Sequence, residues 1–261
     1  MAVSSAPTAS YPSLAGRVVF VSGGGSGIGA DIVAHFAAQG ARVAFCDIAE
    51  EPARALAARL SSSAVRFAPC DVRDLGALRA VLQGIEHDWG AVGVLVNNAA
   101  RDDRKSVAEV TPEFWDEQIA VNLRHQFFAA QAVAPGMIRA GGGSIINLGS
   151  VSWMRGTPGM PAYTASKGAI HGLTRTLARE LGRHNIRVNS IVPGAIDTPR
   201  QRSLWIGPEK EREFLRAQCL DLRLDGNDVA RAALFLASDD ARGITGHALV
   251  VDAGLAQSSA G

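Results

Sequence analysis

What this sequence lacks first is charge of one sign: 26 Lys and Arg stand against 25 Asp and Glu in 261 residues, a formal net charge of +1. Without a surplus or a long run of like charge, nucleic acid and anionic membrane surfaces are poor partners, and a small molecule is the expected one. Long hydrophobic runs are missing too. Stretches such as VVFV and VGVLV are four or five residues long, far below the roughly 20 that cross a bilayer, so no membrane span is expected. Residues 1–13, MAVSSAPTASYPS, hold no basic stretch followed by an apolar one, which speaks against an export signal and for a flexible tail. Cysteine is scarce. Cys46, Cys70 and Cys219 are odd in number and far apart, matching neither a CxxC metal pair nor a disulfide framework, and a reducing, cytoplasmic compartment is the expectation. His35, His87, His125, His171, His184 and His247 show no paired ligand spacing, so no metal is expected.

What is present is an alternation of short apolar runs with longer amphipathic stretches. RVVFVS at 17–22, ARVAFCD at 41–47, AVRFAPCD at 64–71, VGVLVN at 92–97, GSIINLGS at 143–150, NIRVNSIVPG at 185–194 and HALVVDAG at 247–254 read as about seven strands separated by helices. Their unbroken apolar character suits strands buried on both faces, as parallel strands are. The expected fold is α/β: a single-domain, Rossmann-type, doubly wound parallel sheet, with residues 14–261 forming one dinucleotide-binding catalytic domain. No internal repeat or linker divides the chain, and the GGG at 141–143 reads as a helix-to-strand turn. The longest stretch without a strand pattern, Ala195 to about Asp225, contains PEKEREFLRAQ, a short helix expected to lie over a binding site.

The chemistry concentrates at three places. The first strand passes into a helix through Gly23, Gly24, Gly25, Gly27 and Gly29, where backbone must come close to a pyrophosphate. A strict G-x-G-x-x-G is absent, although Gly25, Gly27 and Ala30 fit its looser ending and Gly23, Gly27 and Gly29 form G-x-x-x-G-x-G. Asp47 ends the second strand, where a carboxylate accepts hydrogen bonds from an adenosine ribose and repels a 2′-phosphate; with no Arg or Lys between Ser22 and Gly29, NAD is expected over NADP. Read alone, Asp47 also suits a cap for a helix starting near Glu50. Tyr163 and Lys167 lie one helical turn apart on one face, so the ammonium is expected to lower the phenol's pKa and make it a base. Ser150 closes the fifth strand at the sheet edge where doubly wound proteins hold their active sites, 13 positions before Tyr163.

Together, SGGGSGIG at 22–29, NNAA at 97–100, Asn122, Ser150, Tyr163-x-x-x-Lys167 and PGAIDT at 193–198 resemble the short-chain dehydrogenase/reductase family over nearly the whole chain. The resemblance implies a proton-transfer tetrad of Asn122, Ser150, Tyr163 and Lys167; Asn122 by itself reads only as a polar residue in a helical pattern that begins near Pro112. It also implies that Ser26, Ile28 and Ile48 join Gly23, Gly27, Gly29 and Asp47 around the dinucleotide. Asp71 and Val72 would meet the adenine, Asn97 and Ala99 the adenosine side, and Pro193, Gly194, Ile196 and Thr198 the nicotinamide carboxamide. Where family members usually carry Gly after Asn-Asn-Ala, this chain has Ala100, so the backbone there must avoid positive φ or carry strain.

YPSLAGR, DDR at 102–104, VNLRH, QAVAPGM, SVSW and LFLASDD further resemble the family's bacterial aldose 1-dehydrogenases. That implies NAD-dependent oxidation of the anomeric hydroxyl of D-xylose or a related sugar to the aldonolactone, by a homotetramer. Substrate-binding candidates are Arg101, Ser150, Trp153, Tyr163, Arg200 and Gln201, with Arg155 and Trp205 beside them. RDDRK at 101–105 otherwise reads as a solvated face. Arg101 stands where these enzymes are expected to carry a small polar residue, and its guanidinium suits a carboxylate; oxidation of a secondary hydroxyl in a 2-keto-3-deoxy sugar acid is therefore the alternative. A non-catalytic NAD-binding protein is a second alternative, since fold alone does not imply activity.

Overall fold

The structure, a computed structural model, describes residues 9–60, 64–205 and 207–257. Its strands are β1 (Val18–Ser22), β2 (Arg42–Asp47), β3 (Val65–Pro69), β4 (Val94–Asn97), β5 (Gly143–Leu148), β6 (Ile186–Pro193) and β7 (Ala248–Val251). They form one sheet in the order β3-β2-β1-β4-β5-β6-β7, every neighbouring pair parallel. Each expected strand is found, trimmed at its ends. The residues trimmed from the carboxyl ends, Gly149 and Ser150 after β5 and Gly194 after β6, leave the ladder to build the site.

The helices are α1 (Gly27–Ala38), α2 (Glu50–Leu60), α3 (Leu75–Trp89), α4 (Pro112–Ile119), α5 (His125–Arg139), α6 (Pro161–Leu181), α7 (Pro199–Leu204), α8 (Pro208–Ala217) and α9 (Gly226–Ala237). Because side chains alternate across a strand, the sheet feeds two cores. Val19, Val21, Val43 and Phe45 pack with Ile32, Val33 and Phe36 of α1 and Val229 and Leu234 of α9. Phe20, Ala44 and Leu95 face the other way, against Leu78, Leu82 and Ile85 of α3, Val133 and Met137 of α5 and Leu177 of α6.

Three local features position the site. β1 pairs with β2 on one side and β4 on the other, so the winding reverses there and leaves a crevice beyond the carboxyl ends. Between α4 and α5 the helix widens into a π turn over Ala120–Arg124 that holds Asn122, a distortion often found at functional sites. The excursion after β6 holds two helices rather than one: α8 is the expected segment, and α7 starts ahead of it, with Thr198 accepting from Gln201 N at 3.2 Å and Pro199 in the first turn.

The tail expected over residues 1–13 does not extend to its last residues. Tyr11 packs against the core and its amide donates to Gln39 Oε1 at 2.7 Å, while Pro12–Leu14 form a 3-10 turn that buries Leu14 completely. Residues 1–8 of that tail lie outside the described residues. Among the described residues no helix is long and apolar enough to cross a membrane.

Candidate active site

The glycine-rich turn after β1 is shaped by close approach. A Cβ on Gly29 would sit 2.0 Å from the Gly23 carbonyl oxygen, and one on Gly23, at φ +66°, would sit 2.8 Å from Ala99 Cα. No side chain fits either place, so α1 can begin flush against the loop with its free amides facing the crevice. Asp47 ties this loop to β2: its carboxylate accepts from Gly25 N and from Ala49 N, both at 2.9 Å. It therefore ties local backbone just ahead of α2 rather than capping that helix, while also lining the crevice.

That crevice, of about 410 Å³, gathers Gly23, Ser26, Gly27, Ile28, Gly29, Asp47, Ile48, Asp71, Val72, Ala99, Tyr163 and Thr198. Its cradle has the shape and free amides that a dinucleotide needs. Asp71 is paired with Arg73, Nη2 to Oδ2 at 2.6 Å, which holds its carboxyl below the usual range. Asn97 is a correction. It is fully buried and turned into the interior, donating to Asn147 Oδ1 at 2.9 Å and to the Gln126 carbonyl at 3.2 Å. As the last residue of β4 its side chain falls on the inner face, and the next residue, Asn98, lines the crevice instead, donating to the carbonyls of Ser22 and Gly23 at 3.0 and 2.8 Å. Ala100 escapes strain: among the described residues, positive φ outside glycine occurs at Asn185 and Ala253.

An adjoining cavity of about 230 Å³ brings together Ser150, Tyr163, Lys167, Pro193, Gly194, Ile196, Thr198 and Gln201. Lys167 is buried in α6, donating to the Leu148 carbonyl at 2.8 Å, with its Nζ 5.4 Å from the centre of the Tyr163 ring. Ser150, just past β5, lines the cavity beside Tyr163 and accepts from Ser152 N at 3.1 Å. Asn122 joins through the loop after β4: its Oδ1 accepts from Arg101 N at 2.9 Å and its Nδ2 donates to the Arg101 carbonyl at 3.0 Å.

The electrostatics differ from the expected lowering of the phenol's pKa by the ammonium. Burial pushes Tyr163 up to about 12; the Ser150 hydroxyl opposes the rise and the Asp102 carboxylate adds to it. Burial likewise pushes Lys167 down to about 7, with Asp102 opposing. Desolvation of a charge inside the cavity outweighs the attraction between neighbours. Burial thus favours the protonated phenol, and positive charge beside it would favour release of the proton.

Of the remaining substrate candidates, only some reach this cavity. Gln201 lines it; Arg155 does too, though its guanidinium donates to the Leu255 carbonyl at 2.7 Å. Arg101 lines the larger crevice rather than this cavity, and its guanidinium is paired with Asp103 at 2.7 Å and Glu117 at 3.2 Å. Trp153 packs on His171 with ring centres 5.9 Å apart and does not line the cavity. Arg200 is exposed at the rim, bridging Asp102 and Asp103, and Trp205 lies beneath Arg104, 4.3 Å from its ring centre. The residue missed by the sequence reading is Asp102, which lines both cavities with its side chain only 12% exposed. Its place three residues after Ala99, in the same loop as Arg101, was the available signal.

A family model described as enoyl-(acyl carrier protein) reductase matches residues 23–256. The chain is 51% identical over 249 residues to the D-xylose 1-dehydrogenase of Caulobacter vibrioides, an alignment covering 95% of this chain and 98% of that one. It is 48% identical over 252 residues to a protein of Rhizobium meliloti named as a probable galactose dehydrogenase, again covering 95% and 98%. Among solved structures, the gluconate 5-dehydrogenase of Burkholderia cenocepacia in complex with NADP and tartrate superposes with a TM-score of 0.88 at 32% identity, over 95% of this chain and 99% of that one. With its seven-stranded parallel sheet, its glycine cradle and the Ser150, Tyr163 and Lys167 cluster, this chain is an oxidoreductase that belongs to the short-chain dehydrogenase/reductase family.

Proposed function

We propose that this protein is an NAD-dependent dehydrogenase that oxidises the anomeric hydroxyl of a neutral aldose, D-xylose or a related sugar, to the aldonolactone. The observation that carries the choice of a neutral sugar is the state of Arg101: its guanidinium is already paired with Asp103 and Glu117, carboxylates that a sugar acid would have to displace. The similarity to enzymes named for xylose and galactose oxidation supports the same reading.

Gly23, Ser26, Gly27, Ile28, Gly29, Asp47, Ile48, Asp71, Val72, Ala99, Pro193, Gly194, Ile196 and Thr198 would hold the dinucleotide, with Asp47 favouring NAD because its charge opposes a 2′-phosphate. When bound, the oxidised nicotinamide supplies the hydride acceptor and a positive ring close to the reacting centre. Ser150 orients the sugar hydroxyl. Tyr163 takes its proton as general base, its phenol released from the effect of burial by neighbouring positive charge. Lys167 holds the nicotinamide ribose, and Asn122 positions a water that carries the proton onward. The cluster is supplied by β5, α6 and the π turn, rigid elements that keep the groups oriented. A cytoplasmic homotetramer, with α4, α5 and α6 at one interface and β7 near another, completes the proposal.

The test is a panel of aldoses, sugar acids and simple alcohols, offered with NAD and with NADP and followed by the absorbance of the reduced nicotinamide. Fastest oxidation of an aldose with NAD supports the reading. Preference for a 2-keto-3-deoxy sugar acid would replace it, and NAD binding without turnover of any substrate would make the protein a non-catalytic binder.

A further inference from the structure

Two ionisable side chains of the inner cavity are shielded from water: Lys167, 2% exposed, and Asp102, 12% exposed at its side chain. Lys167 has a part in the proposed reaction, whereas Asp102 has none. Its Oδ1 accepts from Arg200 Nε at 3.2 Å and its Oδ2 from Gln201 Nε2 at 2.8 Å. An ionised carboxylate offers about four lone-pair sites, so two remain for whatever enters. The field of this carboxylate reaches the reacting centre, since it is felt at both Tyr163 and Lys167. The arginines that also border the cavity, Arg104 and Arg155, are exposed, and water screens exposed charges far more than shielded ones.

We infer that Asp102 is the specificity-determining residue of this cavity: its carboxylate accepts hydrogen bonds from the hydroxyls of an uncharged sugar and turns away sugars that carry a carboxylate. The inference rests on the aldose reading above. A polyol brings uncharged hydroxyls whose O–H groups can donate to the two open lone-pair sites. A uronic acid brings a second negative charge into a space where Asp102 is already partly desolvated, and like charges there repel strongly. Arg200 offsets Asp102 incompletely, because its side chain is 47% exposed and it divides its charge between Asp102 and Asp103.

The experiment compares an aldose with the uronic acid that carries the same anomeric hydroxyl, so that the reacting atoms are unchanged. Wild-type enzyme is expected to favour the aldose by at least about 10-fold in kcat/KM, the scale of a hydrogen bond to a charged group. Asp102→Asn should raise the aldose KM about 10-fold or more, change kcat less, and narrow or invert the preference; Asp102→Glu, which keeps the charge, should restore it. Arg200→Ala breaks the same contact with α7 while leaving the carboxylate, and should keep or widen the preference. If Asp102→Asn leaves KM and preference unchanged, or if Arg200→Ala reproduces its effects, Asp102 merely pins α7 and the inference fails. A wild type that oxidises aldoses but prefers the uronate overturns the inference alone; one that oxidises no sugar overturns the aldose reading with it.

Discussion

Arg101 and Asn122 are joined through backbone on one side and side chain on the other: the Arg101 amide donates to Asn122 Oδ1 at 2.9 Å, and Asn122 Nδ2 returns a hydrogen bond to the Arg101 carbonyl at 3.0 Å. What Asn122 needs from position 101 is a peptide group. The guanidinium lies outside this exchange, paired with Asp103 and Glu117.

Arg101→Ala should therefore be mild. Its ion pairs are about one-third exposed, and such pairs contribute roughly 0–1 kcal/mol. Aldose kcat/KM is expected to fall by less than about 10-fold, below what loss of a charged contact to substrate would produce. Asn122→Ala removes both partners from the part-buried Arg101 peptide group and should cost about 1 kcal/mol or more of stability along with turnover. Urea unfolding and steady-state kinetics on both variants check the contrast; a sugar acid oxidised faster than the aldose by wild type, with a loss well above about 10-fold at Arg101→Ala, would restore the sugar-acid reading.

Tyr163→Phe keeps the ring and removes the proton acceptor. Turnover should drop by about 10²- to 10⁴-fold while NAD affinity, measured by calorimetry, stays close to wild type. Near-normal turnover would remove Tyr163 from the role of base.

Asp47→Ala removes a carboxylate that accepts from Gly25 N and Ala49 N. The preference for NAD over NADP should narrow, and the KM for NAD should rise because the loop loses its anchor. If only the KM moves and the cofactor ratio does not, Asp47 serves as a backbone tie alone.

Lys167 links function to stability through its pKa of about 7, far below the usual 10.5 of a lysine. Between pH 7 and 10.5 the unfolded chain binds the proton and the folded chain does not, so this residue makes stability rise with pH across that window. Its full cost is present below pH 7. Lys167→Met should accordingly be more stable than wild type at and below pH 7, by on the order of 2 kcal/mol after loss of the bond to Leu148, and the advantage should vanish above about pH 10.5. Urea midpoints of both proteins across pH give the comparison. A pH-independent difference would mean that the ammonium stays charged in the folded protein.

Gly29→Ala would drive a methyl group into the Gly23 carbonyl. Because the obstacle is backbone, the loop itself must move, and NAD binding should weaken by at least about 10-fold, as a misplaced backbone donor to a charged group implies. Unchanged binding by calorimetry would show that the loop can shift without loss.

The sheet was legible because its strands are apolar runs separated by helix-length intervals, and Gly29 because only a missing side chain permits the observed approach. Ser150, Tyr163 and Lys167 were legible from spacing alone, being neighbours on one helix or at the end of one strand. Position 97 misled because the motif contains two consecutive asparagines, and which of them faces the crevice depends on where β4 ends. Arg101 and Trp153 misled for a related reason: proximity in sequence to the motif said nothing of the partners Asp103, Glu117 and His171 that draw them away. Asp102 was hidden because in a run such as RDDRK a charge looks solvated until the fold supplies α7 to cover it. Cys46 and Cys70 look remote in the sequence, yet the pairing of β2 with β3 brings both into one buried core cluster.

The π turn over Ala120–Arg124 also governs how the chain can change in length. Each residue of an α-helix advances the chain by about 100° around the axis. Deleting one residue in this turn would yield a tidier helix, but everything beyond it would revolve, carrying α5 off its core and Asn122 away from Arg101. Insertions and deletions over time should then collect in surface turns such as Gly141–Gly142, while this stretch keeps a constant residue count even where its side chains drift.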